Sequence, residues 1–256
     1  MSMVAISLQS GSNGNCIYVE ASGVKLLFDA GISGIRVEGR LAEQGRNIQK
    51  MDAVIISHDH IDHVRYAGVY QRKYQIPLYI SPKTLDAAIK RFPIGRLKEI
   101  HHFQPGSVLS FGPVSVETIA TSHDCIEGSA FVISSGEKRL GILTDLGHAF
   151  EGLDRIIASL DAVFIESNYD PSMLASGPYP TFLKRRIKGP GGHLSNIEAA
   201  ELLRISCGRL KWACLSHLSE QNNHADVALQ THRNMVSPNL ILHAAGRYAA
   251  TAALVV

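Results

Sequence analysis

The chain has 256 residues, of which 45% are hydrophobic and 19% are charged. A chain of this length buries roughly three quarters of its unfolded surface, so we expect one domain spanning residues 1–256. The composition excludes wholesale disorder and a fibrous protein. The net charge of +2 at pH 7 is too small to require a nucleic-acid partner by itself.

The first residues carry no charged segment ahead of their apolar stretch, and the longest apolar runs are much shorter than a bilayer crossing. We therefore expect a cytoplasmic protein without a membrane partner. The cysteines have neither the CxxC spacing of a zinc ribbon nor the density of a disulfide scaffold, which predicts buried free thiols at Cys16, Cys125, Cys207 and Cys214.

The first part of the chain predicts a meander of antiparallel strands over residues 4–8, 16–20 and 25–28, separated by the turn-forming segments SGSNGN and ASG. A helix is expected over residues 36–45. The apolar run at residues 53–57 then predicts a short buried strand that leads directly into the segment HDHIDH.

Strands and helices alternate through the rest of the chain. Helices are expected over residues 63–71, 82–91, 153–160 and 196–205, and strands over 77–80, 139–144, 162–166 and 212–216, with three more between 108 and 133. Residues 171–192 are rich in glycine, proline and basic residues, which indicates an excursion over the surface. Two sheets whose outer faces are covered by helices would bury all these apolar faces.

The strongest chemical signal is HDHIDH, residues 58–63. In an extended segment that leaves a strand, residues two apart face the same way, so His58 and His60 can bind one metal ion. The chain then turns into a helix, which brings Asp62 and His63 toward a second ion. A purely structural role would leave four neighbouring buried polar groups without partners.

This motif resembles the hallmark of the metallo-β-lactamase superfamily, and later segments continue the resemblance: LLFDAG at 26–31, ATSHD with His123, LTDLG with Asp145 and LSHLS with His217. The resemblance implies an α/β fold, a four-layer αβ/βα sandwich of two mixed sheets covered by helices. It also implies two divalent metal ions per chain, the first bound by His58, His60 and His123, the second by Asp62, His63 and His217, with Asp145 as the bridge. Nitrogen and oxygen ligands suit zinc or manganese.

Several loops resemble the WalJ/YycJ-like branch, which is related to tRNase Z-type and other nucleases: SLQSGSNGNC, FIESNYD, GPYPTFLKRRIKG, GGHLSN and LSHLSEQNN. The resemblance implies phosphodiester hydrolysis on nucleic acid, with DNA degraded from an end in the 5′-to-3′ direction. A hydroxide that bridges the two metals would be the nucleophile. The residues themselves leave open the polarity, the choice between DNA and RNA, and the oligomeric state.

Candidate catalytic and substrate-binding residues follow from the same loops. Asp62 counts as catalytic as well as ligating. His193 in GGHLSN resembles the histidine beside the scissile phosphate in tRNA-processing relatives, so we assign it as general acid or phosphate-binding cation, oriented by Glu166. The residues of the basic run are expected to contact phosphates: Lys184, Arg185, Arg186 and Lys188. We expect Tyr179 to stack on a base. The plainer alternative for these residues is a solvated or packing role.

Two acidic residues beside the motif are assigned supporting roles. Asp29 is expected to hydrogen-bond to the metal loop, and Asp59 to face solvent or to orient a neighbouring imidazole. The segment SGSNGN either approaches a phosphate with its backbone or forms a simple hairpin turn.

Two rival functions remain at this point. The first is another hydrolase on the same scaffold, such as a thioesterase, a lactonase or a cyclic-nucleotide phosphodiesterase, because a fold does not decide the substrate. The second is a non-catalytic binding module that keeps the metal ligands for stability.

Overall fold

A computed structural model describes residues 3–206 and 208–256. The first of its two seven-stranded sheets contains Met3–Gln9 (β1), Cys16–Ala21 (β2), Val24–Phe28 (β3), Ala53–Ile55 (β4), Leu78–Ile80 (β5), Ile100–His102 (β6) and Leu254–Val255 (β14). β14, β1, β2 and β3 pair antiparallel, and β3 to β6 pair parallel. Ser22 and Gly23 both have positive φ angles, as a tight two-residue hairpin between β2 and β3 requires.

The second sheet repeats this arrangement. It contains Val108–Phe111 (β7), Val114–Thr121 (β8), Gly128–Ser135 (β9), Lys138–Leu143 (β10), Ala162–Glu166 (β11), Trp212–Ser216 (β12) and Ile241–Ala244 (β13), in the spatial order β13-β12-β11-β10-β9-β8-β7. β7 to β10 pair antiparallel, and β10 to β13 pair parallel. Both sheets are therefore mixed, as the resemblance implied.

Helices cover the outer faces of the two sheets. The described helices are Gly34–Glu43 (α1), Ile61–Val64 (α2), Ala67–Tyr74 (α3), Pro82–Arg91 (α4), Leu153–Ala158 (α5), Pro171–Ser176 (α6), Thr181–Lys188 (α7), Asn196–Ser206 (α8) and Ala225–Met235 (α9), with a short 3₁₀ helix at Ile48–Lys50. Among them, α7 buries none of its residues and lies on the surface. Side chains cap the N-termini of α4, α6 and α8. Ser195, for example, accepts from the backbone N–H of Glu198, whose carboxylate accepts from Ser195 in return.

Three apolar cores hold these layers together, because successive strand residues point to opposite faces of a sheet. On β2, Ile17 and Val19 lie in the core between the two sheets, whereas Cys16 and Tyr18 lie in the core under the helices of the first sheet. A third core lies under the helices of the second sheet and includes Leu143. The order helix, sheet, sheet, helix confirms the predicted four-layer sandwich. The single domain over residues 1–256 stays a prediction.

Two predicted segments differ from the structure. The helix expected over residues 63–71 is interrupted between α2 and α3, because the loop after β3 takes its backbone hydrogen bonds: the N–H of Ala30 donates to the His63 carbonyl and the N–H of Tyr66 donates to the Ala30 carbonyl. The excursion over residues 171–192 contains two short helices, the first capped by the Asp170 carboxylate.

Three of the cysteines lie within the described residues, and all three are free thiols. Cys16 and Cys214 are buried as predicted, whereas Cys125 is partly exposed; Cys207 lies outside the described residues. None of the described helices has the length and apolar character needed to cross a membrane.

Candidate metal centre

The candidate ligands all follow the carboxyl ends of strands. β8, β10, β11 and β12 run in one direction, so their ends meet at the same edge of the second sheet. His123 follows β8, Asp145 follows β10 and His217 follows β12, whereas Glu166 is the last residue of β11. β4 of the first sheet leads to the segment HDHIDH, which faces this edge.

Two triads of ligand atoms form between these segments. In each, ligand atoms lie within 4.8 Å of one another: His58, His60 and His123 in the first triad, and Asp62, His63 and His217 in the second. The Asp62 carboxylate is 3.6 Å from the Nε2 atoms of both His63 and His217. The structure thus brings together the two sets of residues that the resemblance assigned to two metal ions.

Asp145 lies between the two triads. Its carboxylate oxygens are 3.8 Å from His123 Nε2 in the first triad and 3.5 Å from His63 Nε2 in the second. Asp145 and His217 both have positive φ angles, 54° and 56°, although neither is glycine. Such backbone costs on the order of 1–3 kcal/mol and persists where the surroundings fix it, which is typical of functional sites.

Hydrogen bonds on Nδ1 set the orientation of several imidazoles. His58 Nδ1 is 2.9 Å from Ser57 Oγ, His63 Nδ1 is 2.7 Å from Asp29 Oδ2, and His123 Nδ1 donates to the Gly192 carbonyl at 2.9 Å. This arrangement leaves Nε2 of His58 and His123 for a cation, whereas Nε2 of His63 lies 2.9 Å from the side-chain nitrogen of Asn15.

Unpartnered buried atoms test whether this centre fits metal ions. Among the described residues, His58 Nε2, His217 Nε2 and Asp145 Oδ2 are buried without a hydrogen-bond partner. A buried polar atom left in this state costs about 1–3 kcal/mol. One such atom lies in each triad and one on the carboxylate between them, so divalent cations fit the donor set.

The charges at the centre compensate one another. Burial lowers the pKa of His58, and the neighbouring imidazoles lower it further. Burial acts in the same direction on His63, but the Asp29 and Asp62 carboxylates outweigh it and raise the pKa of His63 to about 9. A metal ligand must be deprotonated, so a cation that binds here displaces the proton of His63.

The loop after β3 supports the metal loop. Asp29 accepts hydrogen bonds from the Ser57 N–H and hydroxyl, both at 2.8 Å, besides its contact with His63, as predicted. A side chain at Gly31 is excluded because its Cβ would lie 1.7 Å from the Asp62 carbonyl oxygen. The segment LLFDAG therefore sets the position of HDHIDH through both hydrogen bonding and close packing.

His193 and Glu166 form a pair beside the two triads. His193 Nδ1 is 2.5 Å from Glu166 Oε1, and the other oxygen of Glu166 accepts from the backbone N–H groups of Leu146 and Leu194. Glu166 is fully buried, which by itself raises its pKa, but His193 and His217 outweigh burial and hold the pKa well below its usual range. The ionised carboxylate thus fixes the orientation of the His193 ring.

His193 is also near enough to the second triad to be considered a ligand. Asp145, Glu166, His193 and His217 form a further group with ligand atoms within 4.8 Å of one another. His193 Nδ1 already contacts Glu166, so this group is a weaker candidate than the two triads.

An open cleft of about 330 Å³ gives access to the centre. Its lining combines candidate ligands with residues of other types: Ser12, His60, Ile61, Asp62, Phe92, His123, Asp145, Arg186, His193 and His217. Ser12 belongs to the segment SGSNGN, which therefore borders the cleft. Ile61 and Phe92 are functional candidates that were not predicted from the sequence: Ile61 is the apolar residue within HDHIDH, and Phe92 lies in no motif.

The predicted substrate contacts are dispersed. Of the basic run, all of which the structure describes, Arg186 alone lines the cleft, and its guanidinium forms an ion pair with Asp124. The Lys184 ammonium donates to the Ala175 carbonyl at 2.7 Å, and Arg185 and Lys188 lie on the exposed surface of α7. Tyr179 is half-buried and outside the cleft lining.

Asp59 does not have the role that the sequence indicated. It is fully buried, forms an ion pair with Arg91 and accepts from the Ile126 N–H at 2.9 Å. The prediction that it faces solvent or orients an imidazole is wrong, because an arginine from α4 reaches over the loop and neutralises it. Asn15 was missed as a supporting residue, and its amide donates to Asp62 at 3.2 Å.

The sandwich and its histidine and aspartate centre define a metallo-β-lactamase-fold protein. The family model described as "Beta-lactamase superfamily domain" matches residues 25–214, and the chain belongs to this superfamily. It is a metal-dependent hydrolase, as predicted, which removes the rival of a non-catalytic module.

Among curated proteins, the chain is 37% identical over 233 residues to exodeoxyribonuclease WalJ of Streptococcus pneumoniae, covering 90% of this chain and 87% of that protein. It is 35% identical over 224 residues to exodeoxyribonuclease YycJ of Bacillus anthracis, covering 86% and 84%. The predicted resemblance to the WalJ/YycJ-like branch is confirmed.

Solved structures agree on the fold. The metallo-β-lactamase-fold protein YhfI from Bacillus subtilis superposes with a TM-score of 0.76 at 19% identity, covering 98% of this chain and 99% of that one. The short form of human tRNase Z gives a TM-score of 0.67 at 13% identity, covering 97% and 98%.

Proposed function

We propose that this chain is an exodeoxyribonuclease that hydrolyses phosphodiester bonds at an end of DNA with two divalent ions, zinc or manganese. The observation that carries the proposal is the pair of ligand triads joined by Asp145, next to the pair formed by His193 and Glu166. The identity of 35% and 37% with two exodeoxyribonucleases favours DNA over the small-molecule alternatives. We also propose that the protein, acting on this substrate, is located in the cytoplasm.

The ligand assignment follows the two triads. One ion would be held by His58, His60 and His123, the other by Asp62, His63 and His217, with Asp145 bridging them. When bound, the two ions supply a nucleophile from water at neutral pH and positive charge for the phosphoryl oxygens. Asp62, kept in place by Asn15, serves as a ligand and orients the attacking water.

His193 is the proposed proton donor. Glu166 engages Nδ1 of its ring, so Nε2 is free to hold a proton toward the cleft that His193 lines. In phosphodiester hydrolysis the departing sugar oxygen needs a proton, and a positioned imidazolium can supply it. The buried carboxylate of Glu166 keeps the imidazole in the correct orientation through the transfer.

Arg186 is the proposed contact to a substrate phosphate, because it lines the cleft beside His193. Lys184, Arg185 and Lys188 extend the positive charge along the exposed part of α7 and attract DNA at longer range. Stacking of a base on Tyr179 stays a prediction.

The test uses metal-replete protein with linear DNA labelled separately at its 5′ and 3′ ends, in single- and double-stranded form, and with covalently closed circular DNA. Release of nucleotides from linear DNA alone supports the proposal, and the label released first gives the polarity. Asp145→Asn is the inactive control. Equal cutting of circular DNA, or turnover of thioesters and lactones in place of DNA, would contradict it.

A further inference from the structure

The cleft has an apolar side that the metal chemistry does not use. Ile61 and Phe92 line it together with the candidate ligands, and Arg186, His193 and Ser12 supply polar groups to the same cleft. Ile61, the first residue of α2, exposes 43% of its surface. An exposed isoleucine and an aromatic ring next to a polar centre offer contacts to a ligand that has an apolar part.

Phe92 is held firmly in this position. It follows the last residue of α4, and its N–H donates to the Ala88 carbonyl at 2.9 Å. Pro93 restricts the preceding residue to extended backbone, and Phe92 has φ −136° and ψ 146° accordingly. Part of the ring packs on the core under the helices of the first sheet. The backbone at Phe92 and the packing of its ring on this core therefore position the ring at the cleft.

An ion pair links the residue before Phe92 to the metal loop: the Asp59 side chain is buried, and the Arg91 side chain is 51% exposed. Arg91, its neighbour, pairs with Asp59, which lies between the candidate ligands His58 and His60 and is fully buried. The second oxygen of Asp59 accepts from the Ile126 N–H. The position of the aromatic ring is thus coupled to the histidines through one charged contact.

We propose that Phe92, together with Ile61, is the surface on which the terminal nucleobase of DNA stacks while its phosphate lies at the metal centre. This inference rests on the proposed function. A nucleotide combines an anion with a flat apolar ring, and the cleft offers polar and apolar groups to match. Its volume of about 330 Å³ suits one nucleotide, not a helical stack, so the base must leave its neighbours to enter.

Stacking on an aromatic ring accepts every base, since each has a π face. The proposed surface therefore serves removal of nucleotides in any sequence. Loss of one base-stacking contact on this surface should lower kcat/KM by about 10- to 100-fold, the usual effect of deleting such a contact.

The experiment compares DNA whose terminal nucleotide carries a base with DNA whose terminal nucleotide is a tetrahydrofuran abasic analogue, at the end that the enzyme removes. The readout is the ratio of kcat/KM for the two DNAs, which a general loss of activity does not change. We expect a ratio of about 10 to 100 for the wild type, a ratio near 1 for Phe92→Ala, and a retained preference for Phe92→Trp.

Phe182→Ala is the matched control, because Phe182 is an aromatic residue of α7 that is 73% exposed and does not line the cleft. It should leave the ratio at the wild-type value. An unchanged ratio in Phe92→Ala, or an absent preference in a wild type that degrades DNA, overturns the inference.

The outcomes separate this inference from the proposed function. A wild type that degrades neither DNA refutes the proposed function itself. If Phe92→Ala does not fold, Phe92→Leu keeps most of the packed volume without the aromatic plane and gives the same comparison. A wild-type ratio in Phe92→Leu then overturns the stacking role.

Discussion

Replacing His193 by alanine separates the proposed proton transfer from metal binding. The His193 ring contacts Glu166 but belongs to neither ligand triad, and its side chain is 18% exposed at the cleft, so its removal opens no closed cavity in the core. We expect His193→Ala to keep both metal ions. We expect cleavage to fall by about 10²- to 10⁴-fold, the usual contribution of a positioned proton donor, which corresponds to about 3–5 kcal/mol in activation free energy.

The assay measures metal content by elemental analysis and single-turnover cleavage of end-labelled DNA. A second substrate carries sulfur in place of the departing oxygen, because a thiolate leaves without a proton. If His193 is the proton donor, the defect of His193→Ala should largely disappear on this substrate. His148→Ala is the matched control, since His148 is an exposed histidine whose ring contacts the Pro190 carbonyl outside the cleft lining.

Three results would refute the reasoning. Cleavage by His193→Ala within tenfold of the wild type removes His193 from the mechanism. Loss of one metal ion in His193→Ala would show that His193 is a metal ligand, as the further group of possible ligands that it forms with Asp145 and His217 allows. If His193→Ala is as defective on the sulfur-substituted DNA as on ordinary DNA, His193 is not the proton donor, and phosphate binding is its remaining role.

Asp145→Asn removes the charge between the triads, so we expect fewer than two metal ions per chain and cleavage lowered by at least 10²-fold. Arg186→Gln should weaken DNA binding and lower the slope of log Kd against log salt by about 1, whereas Arg185→Gln, away from the cleft, should change binding less. His232→Leu should make the protein less sensitive to acid. Burial lowers the pKa of His232 to about 4 in the folded protein. Between pH 6.5 and 4 the unfolded state therefore binds the proton more strongly than the folded state. As the pH is lowered from 7 to 5, the free energy of unfolding of the wild type decreases by about 2 kcal/mol.

Each of these predictions has a distinct contrary outcome. Two bound ions in Asp145→Asn, counted by elemental analysis, would show that this carboxylate does not bridge. Equal salt slopes for the two arginine variants would place the phosphate contact elsewhere on α7. Chemical unfolding of His232→Leu with the same pH dependence as the wild type would show that His232 does not contribute to acid sensitivity.

The sequence predicted most of the fold because each sheet has local signals. Alternating apolar residues marked the antiparallel strands, and short apolar runs such as 53–57 and 162–166 marked the buried parallel ones. It failed over residues 63–71, where hydrogen bonds from the loop after β3 interrupt the helix. Such bonds join residues more than thirty positions apart, and helix propensity contains no information about them.

For the site, the sequence by itself determined which residue types are available and, through the spacing of HDHIDH, that His58, His60, Asp62 and His63 would act together. The distant members His123, Asp145 and His217 came from resemblance, and only the tertiary structure placed them within reach of that segment. The structure alone decided that Arg186 reaches the cleft, that Asp59 pairs with Arg91, and that Phe92 lines the cleft. The physical reason is that spacing along a strand or helix fixes the direction of neighbouring side chains, whereas contacts between elements depend on how the layers pack.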